Sequence, residues 1–466
     1  MDIQQLQPNR EHTAPIYLQL YQRYREAIAT GKLQAGDRVP SVRSLASELN
    51  LARGTIEQAY QILVSEGYFI TQGAGGTFVS PQLKQLPTHQ QTSDLQALQQ
   101  QIQTAQRPIL PFELGLPALD AFPRKTWTRL SNHNLRTINS LTYPDAAGYA
   151  PLRHAVATYL GISRGIMCTP EQVFITAGYS GALQLICQTV LKQGDVGWYE
   201  EPGYILARQF LQHMGMQLQP IPVDADGLNV EIGIQQAKQA RFAVVTPTHQ
   251  SPLGVTLSLA RRLALLDWAK QQNAWVIEDD YDSEFRYHGR PLPALKSLDQ
   301  DGRVLYTGTF SKVLFPGLRL AYLVAPPEQI ESFQYSAQML KAASSILPQA
   351  TIADFMQQGH FTRHLRKMRH LYATRHDYLT HALAALKHDL HIQPQAGGIH
   401  ILAHLDVHQD DQAIAQAAQA QGLGIQALSD WYLQQPTQKG LIMGFTNFKT
   451  AEEAEVAVKQ LSELLR

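Results

Sequence analysis

Cysteine is nearly absent: Cys168 and Cys187 are the only two in 466 residues. That excludes a disulfide framework and fits a reducing compartment. No apolar run reaches 18 residues, and the stretch Met1 to Arg10 is polar and Gln-rich. Neither a membrane span nor a secretory leader is expected, and the chain reads as soluble and cytoplasmic. Excess charge is missing too, since 39 Lys and Arg balance 39 Asp and Glu. Without a global field, binding to nucleic acid must be local. The 17 histidines are not spaced as ligand pairs with a third donor, so no metal site is expected. At roughly 150 residues per domain, the length predicts about three domain-sized units, able to bury large cores without staples.

The first eighty residues carry three helical patterns. Ile16, Leu20, Tyr24, Ala27 and Ile28 recur at helical spacing before Gly31. Ser41 is placed as an N-cap for a helix through Leu45, Ala46 and Leu49. A turn over Asn50 to Gly54 leads into a third helix, Thr55 to Glu66, with Ile56, Ala59, Ile62 and Leu63 inward. Two short helices across a tight turn form a helix-turn-helix, whose second helix presents its N-terminal residues to base edges. Tyr68 to Thr71 and Thr77 to Val79, about a Gly-rich tip, predict a hairpin wing.

These residues resemble the winged helix-turn-helix of the GntR family, through Pro15-Ile16-Tyr17, Gly31-Lys32-Leu33, Gly36 to Arg43, Arg53-Gly54-Thr55, Ala59-Tyr60, Glu66-Gly67-Tyr68 and Gly76 to Val79. The resemblance implies a DNA-binding domain over residues 10–80. Its DNA contacts would be Arg43, Arg53 and Thr55, with Gly76 and Thr77 at the wing tip. Seven basic and seven acidic residues balance in residues 1–80, so non-specific DNA affinity should be modest and useful binding should need two heads acting together.

Residues 81–110 change character. They are Gln-rich and read as a tether, with a helix expected between Ser93 and Gln106. From Pro151 onward, helical stretches alternate with short apolar runs, at Gln172 to Thr176, Gly197 to Tyr199, Phe242 to Thr246, Trp275 to Glu278 and Arg303 to Tyr306. Such alternation predicts an α/β fold with a mostly parallel sheet. Past residue 326 a smaller α/β lobe is expected, with strands at Ile399 to Leu405 and Leu441 to Phe445 and helices at Gln412 to Ala420 and Ala451 to Leu464.

Lys312 follows one of those strands, where open parallel sheets put their ligands. Desolvated there, its amine would become nucleophilic enough to form a Schiff base. Thr309 and Ser311 supply hydroxyls and Arg319 a bidentate donor, all suited to a phosphate. A Ser-Lys pair alone is more often a surface lysine, so the reading needs partners. Glu278-Asp279-Asp280-Tyr281-Asp282 is an acidic cluster that calls for a cation, and a protonated pyridine nitrogen is one. The loop from Thr176 to Ala182 would turn backbone amides toward a phosphate at a helix N-terminus.

Together with Glu201-Pro202-Gly203-Tyr204 and the run Thr246 to Gly254, these motifs resemble a fold type I aminotransferase domain, with a large lobe at residues 111–325 and a small lobe at 326–466. The resemblance implies pyridoxal 5'-phosphate as cofactor. Lys312 would bind it covalently, Asp279 would pair with the ring nitrogen, Tyr281 with the ring oxygen, and Tyr204 would stack on the ring. Tyr179, Ser180, Thr309, Ser311 and Arg319 would hold the phosphate. Ser251 stands where such enzymes carry Asn, and no arginine is evident near Leu428 to Tyr432 or Gly440 to Phe448 for a substrate carboxylate. Arg208, Ser251 and Asp430 are the effector candidates. The basic helix from Arg363 to Arg375 reads as solvated.

A DNA-reading head joined to such a domain resembles the MocR (GabR/PdxR-like) subgroup of GntR regulators. The resemblance implies a homodimeric transcriptional regulator that binds a double-stranded operator and senses an amine effector, or pyridoxal phosphate itself, through Lys312. A working aminotransferase with an autoregulatory head is the competing expectation.

Overall fold

The computed structural model describes residues 6–9, 14–85, 108–137, 144–287, 292–341, 344–406 and 408–465. It divides into two compact units, Met1–Arg107 and Pro108–Arg466. The helix expected between Ser93 and Gln106 lies outside the described residues.

In the first unit, α1 (Ile16–Ala29), α2 (Val42–Leu49) and α3 (Arg53–Ser65) precede a hairpin of β1 (Phe69–Thr71) and β2 (Thr77–Val79). Ser41 caps α2, accepting the Ser44 amide at 3.1 Å. Asn50 ends that helix in the left-handed region, and α3 starts at Arg53, two residues before the expected Thr55. β1 and β2 pair antiparallel with Phe69 opposite Val79. Tyr24, Tyr60 and Phe69 meet edge to face at 5.2–5.7 Å between centroids, and the Tyr60 hydroxyl donates to the Pro40 carbonyl at 2.8 Å. Leu20, Leu45, Ile56 and Leu63 are fully buried around this triangle. Leu63→Ala should cost about 2–5 kcal/mol, read as a lower melting temperature of the first unit in a thermal scan.

The second unit is built on an eight-stranded sheet. Its strands are β3 (Val173–Thr176), β4 (Val196–Glu201), β5 (Gln217–Asp224), β6 (Gly227–Leu228), β7 (Phe242–Val245), β8 (Trp275–Asp280), β9 (Val304–Thr309) and β10 (Ala321–Val324), in the order β3-β10-β9-β8-β7-β4-β5-β6. The run β9-β8-β7-β4-β5 is parallel, whereas β10 is antiparallel to both neighbours. Three of these strands, β5, β6 and β10, are not among the expected apolar runs. β5 carries Pro220 and Pro222, which an interior strand would reject, and it lies next to the edge with only the two-residue β6 beyond it. β10 follows so soon after the Lys312 loop that the two read as one segment.

A second, antiparallel sheet of β11 (His391–Ile392), β12 (His400–His404), β13 (Gln426–Ala427) and β14 (Gly440–Gly444), ordered β11-β12-β14-β13, forms the smaller lobe with helices Asp411–Ala420 and Ala451–Leu464. The helix His360–Leu383 is solvated at Arg363, Arg366 and Arg369, but the expectation fails at Arg375. That side chain is buried and grips Asp120 bidentately at 3.1 and 2.6 Å while donating to the Thr446 carbonyl. Arg375 thus ties the segment entering this unit to the small lobe. Arg375→Ala should cost about 2–3 kcal/mol, seen as a lower denaturant midpoint.

Candidate functional site

Five parallel or near-parallel strands deliver their carboxyl ends to one edge of the large sheet. β3 leads into Gly178, β4 into Glu201 to Tyr204, β7 into Thr246 to Gly254, β8 into Tyr281 and Asp282, and β9 into Ser311 and Lys312. Ser311 to Leu314 form a turn closed by the Leu314 amide on the Phe310 carbonyl at 2.8 Å. Lys312 donates from Nζ to the Gly115 carbonyl at 2.8 Å. Gly115 has φ +75°, and a Cβ there would stand 2.6 Å from Nζ. Burial lowers the Lys312 pKa against the opposing pull of Asp282 and Asp279, which favours the neutral, nucleophilic amine.

The acidic cluster is not one charge cloud. Glu278 accepts the Leu295 and Lys296 amides, each at 2.8 Å. Asp280, on the same side of β8, pairs with Arg164 Nε at 2.8 Å and accepts the Tyr306 hydroxyl at 2.5 Å. Asp282 pairs with His249 at 3.0 Å. Asp279 has no ion-pair partner among the described residues: burial raises its pKa to about 8, the nearby Tyr179 hydroxyl lowers it, and Asp280, Glu200 and Asp282 raise it further. Strand alternation decides this sorting, because successive side chains point to opposite faces.

A carboxyl with pKa about 8 when folded and 3.8 as the ordinary value binds its proton more tightly in the folded chain. Its contribution to stability is therefore full below about pH 4 and is lost as pH rises through about 8. In cofactor-free protein, Asp279→Asn should lose less stability than the parent between about pH 5 and about pH 8.5, as read by denaturant titration.

The phosphate candidates surround a bare helix start. The helix Gly178–Val190 has Ala177 at its N-cap and no side-chain cap, so its first amides lack a side-chain acceptor. Ser180 is exposed there, and the buried Tyr179 hydroxyl, though close to Asp279, lacks an aligned partner. Thr309 Oγ1 accepts the Ser311 amide at 3.1 Å, leaving its own proton to donate. Arg319 is exposed, held at φ +47° between the Lys312 turn and β10.

Tyr204 caps the helix Ile205–His213 and lies 6.0 Å from the Trp431 ring. Burial and the charge of Asp279 push its phenol up to about 12. Tyr281 lies beside Ser251 and Asp282 and reaches His249 Nδ1 at 3.0 Å. The Ser251–Pro252 peptide is cis. Arg208 donates to the Trp431 and Asp430 carbonyls at 3.1 and 3.2 Å, so it clasps the small lobe. The Asp430 carboxylate is exposed and takes the Gln412 amide at 2.6 Å. Arg208 and Asp430 are thus neighbours through backbone atoms, while Ser251 sits with Tyr281.

His249 and Gly115 are not among the site residues read from sequence, and Asp282 enters there only as a member of the acidic cluster. His249 gave one signal, its place in the run from Thr246 to Gly254, but nothing in the spacing linked it to Asp282. Among the described residues, no group of three or more His, Cys, Asp or Glu could hold a metal ion, and no helix is long and apolar enough to cross a membrane.

In the first unit Arg43 and Arg53 are exposed at the starts of α2 and α3. Neither helix has an acidic residue in its first turn, and α3 has no side-chain cap. Thr55 is half-buried one turn in. At the wing, Gly76 has φ +102°, and a Cβ there would lie 3.2 Å from Arg38 Nε, so Arg38 adds a cation beside Thr77.

Residues 16–79 match the family of bacterial regulatory proteins of gntR type, and residues 117–438 match aminotransferase class I and II. The chain is 35% identical to a probable rhizopine catabolism regulatory protein, MocR, of Rhizobium meliloti, over 96% of its own length and 93% of that protein. It is 31% identical to the HTH-type pyridoxine biosynthesis transcriptional regulator PdxR of Corynebacterium glutamicum, over 94% and 93%. The fold superposes on a kynurenine aminotransferase of Pyrococcus horikoshii with a TM-score of 0.71 and 27% identity, over 81% of this chain and 95% of that one.

Proposed function

Because the chain belongs to the MocR-type, GntR-headed regulators that carry an aminotransferase class I and II domain, we propose that its pyridoxal phosphate-dependent control of transcription is exerted by sensing an amine effector, or pyridoxal phosphate itself, at Lys312. The observation that carries this reading is Asp279: a buried carboxyl with no ion-pair partner among the described residues, at the same sheet edge as a lysine of lowered pKa. The bare N-terminus of the helix Gly178–Val190 and the unpartnered Tyr179 hydroxyl fit the same cofactor.

Lys312 would hold pyridoxal phosphate covalently, and Asp279 would keep its ring nitrogen protonated. Tyr281 would meet the ring oxygen, Tyr204 the ring face, and Tyr179, Ser180, Thr309, Ser311 and Arg319 the phosphate. When bound, the cofactor supplies an aldehyde for amines and an electron-withdrawing ring. Asp279 would give the ring-nitrogen proton a fixed charge partner, and Lys312, when not bonded to the cofactor, would rest as a base at the Gly115 carbonyl. Arg208, Ser251 and Asp430 are the residues assigned to the effector. Because Arg208 already clasps the Asp430 and Trp431 carbonyls, an effector that engages it would loosen the link between the lobes.

On the DNA side, Arg43, Arg53 and Thr55 would contact the operator from α2 and α3, with Gly76 and Thr77 at the wing. Bare helix amides together with Arg53 suit a phosphate or a base edge. The domains are assigned as 10–80, 81–110, 111–325 and 326–466, in a cytoplasmic homodimer that presents two heads to one operator. Steady-state assays with amino-donor and keto-acid pairs test the regulatory reading. Turnover should fall far below the ~1–10³ per second of ordinary enzymes; conversion within that range would make the chain an aminotransferase and overturn it.

A further inference from the structure

We infer that His249 is a positioning residue that turns the Tyr281 hydroxyl proton away from the protein and toward the cofactor ring oxygen; the inference rests on the assignment of Tyr281 to that oxygen. His249 follows β7 on a segment that folds back on itself, the Leu257 amide bonding the Pro247 carbonyl at 3.0 Å. Its Nδ1 lies 3.0 Å from both Asp282 Oδ2 and the Tyr281 oxygen.

An ionised carboxylate only accepts hydrogen bonds, so a nitrogen at that distance must carry the proton. Nδ1–H therefore faces both Asp282 and Tyr281, and the phenol oxygen receives it as an acceptor. Ser251 and Asp282 are the phenol's other side-chain neighbours, Ser251 as a donor to it and Asp282 as a competing acceptor for its proton. The Nδ1–H of His249 occupies Asp282 Oδ2, which turns the phenol's own proton outward, away from His249, Asp282 and Ser251. Two donors on a phenol oxygen also make its O–H a stronger donor. This arrangement supplies what Ser251, a shorter side chain than the Asn of the related enzymes, does not reach to do alone.

The imidazole is fixed from every side. Nε2 lies 3.4 Å from Gln395 Oε1 of the small lobe, and Gly398 packs so closely that a Cβ there would stand 2.2 Å from His249 Cε1. The charged and titratable groups facing it are Asp282 and Tyr281 from the β8 exit, Arg286 beyond them, and His400 from β12, whose ring is 5.6 Å away. Burial holds His400 down at about 4 and so uncharged, and Asp282 acts on Lys312 as well as on His249. Burial opposes a charge on His249, and Asp282 more than offsets it.

The test is a pH titration of the absorption of bound pyridoxal phosphate in the full chain, comparing parent, His249→Phe, His249→Gln, Tyr281→Phe and the double variant His249→Phe/Tyr281→Phe. A stronger donor at the ring oxygen stabilises its ionised form, so His249→Phe should raise the titration midpoint by about one unit. His249→Gln, which keeps an amide donor, should recover part of the shift. In the Tyr281→Phe background, His249→Phe should add nothing. An unchanged midpoint in His249→Phe, or an equal shift with and without Tyr281, overturns the assignment. A parent that takes up no pyridoxal phosphate overturns the cofactor site as well, which separates the two failures.

Discussion

Lys312→Ala should strip the protein of retained pyridoxal phosphate. After loading and gel filtration, the parent is expected to keep the cofactor and its long-wavelength absorption, and the variant to lose both, with occupancy falling by an order of magnitude or more. Lys312 alone among the assigned residues can bond the cofactor covalently; every other contact would be a hydrogen bond or a stacked ring. Such contacts contribute roughly 0.5–3 kcal/mol each, and water competes for most of them at exposed Ser180 and Arg319. Folding should survive, because Lys312 is half-buried and its hydrogen bond to the Gly115 carbonyl can be replaced by water. Retention of absorption in the variant would show that another amine bonds the cofactor and would sink the site.

Arg53→Ala should weaken binding to the chain's own upstream DNA by about 10–100-fold, the equivalent of ~1–3 kcal/mol for one good contact. Arg53 begins α3, where a cation is unfavourable to the helix dipole. A residue kept there against the helix's own preference is better explained by an anionic partner than by folding, and its exposure means that its loss leaves the core of Leu20, Ile56 and Leu63 intact. In the proposed dimer the substitution would act on both heads, which would place the effect at the upper end of that range. Binding measured at several salt concentrations distinguishes its role. A phosphate contact lowers the salt slope, whereas a base contact relaxes sequence preference at equal slope. An unchanged affinity would remove Arg53 from the interface.

Much of the molecule is legible in the chain itself, and the rest fails for identifiable reasons. Helix caps such as Ser41 and the alternation of Phe69 to Thr71 against Thr77 to Val79 are local, so the head can be read residue by residue. The parallel strands are short continuous apolar runs with their polar ends exposed at one edge, and the site falls where they end. β5 hides because Pro220 and Pro222 break the pattern at a near-edge position, and β10 because it runs against its neighbours directly after a functional loop. Asp279 and Asp280 look alike in sequence. Only the pairing of β8 with its neighbours sends one toward Lys312 and the other toward Arg164. His249 and Asp282 stand 33 residues apart, and Arg375 and Asp120 stand 255 apart; no periodicity carries such contacts, so the buried ion pair inside a basic helix looked like a solvated face.

The central claim is that Lys312 links an amine or the cofactor to DNA affinity. The most direct measurement is the operator affinity of the pyridoxal phosphate-loaded full chain, by anisotropy of labelled upstream DNA, with and without each member of a panel of amines, for the parent and Lys312→Ala. The account predicts that at least one amine, or pyridoxal phosphate against cofactor-free protein, changes the parent's affinity by about 5–150-fold and leaves Lys312→Ala unmoved. An affinity in the parent that neither the amines nor the cofactor shifts, or an equal shift in Lys312→Ala, would contradict it.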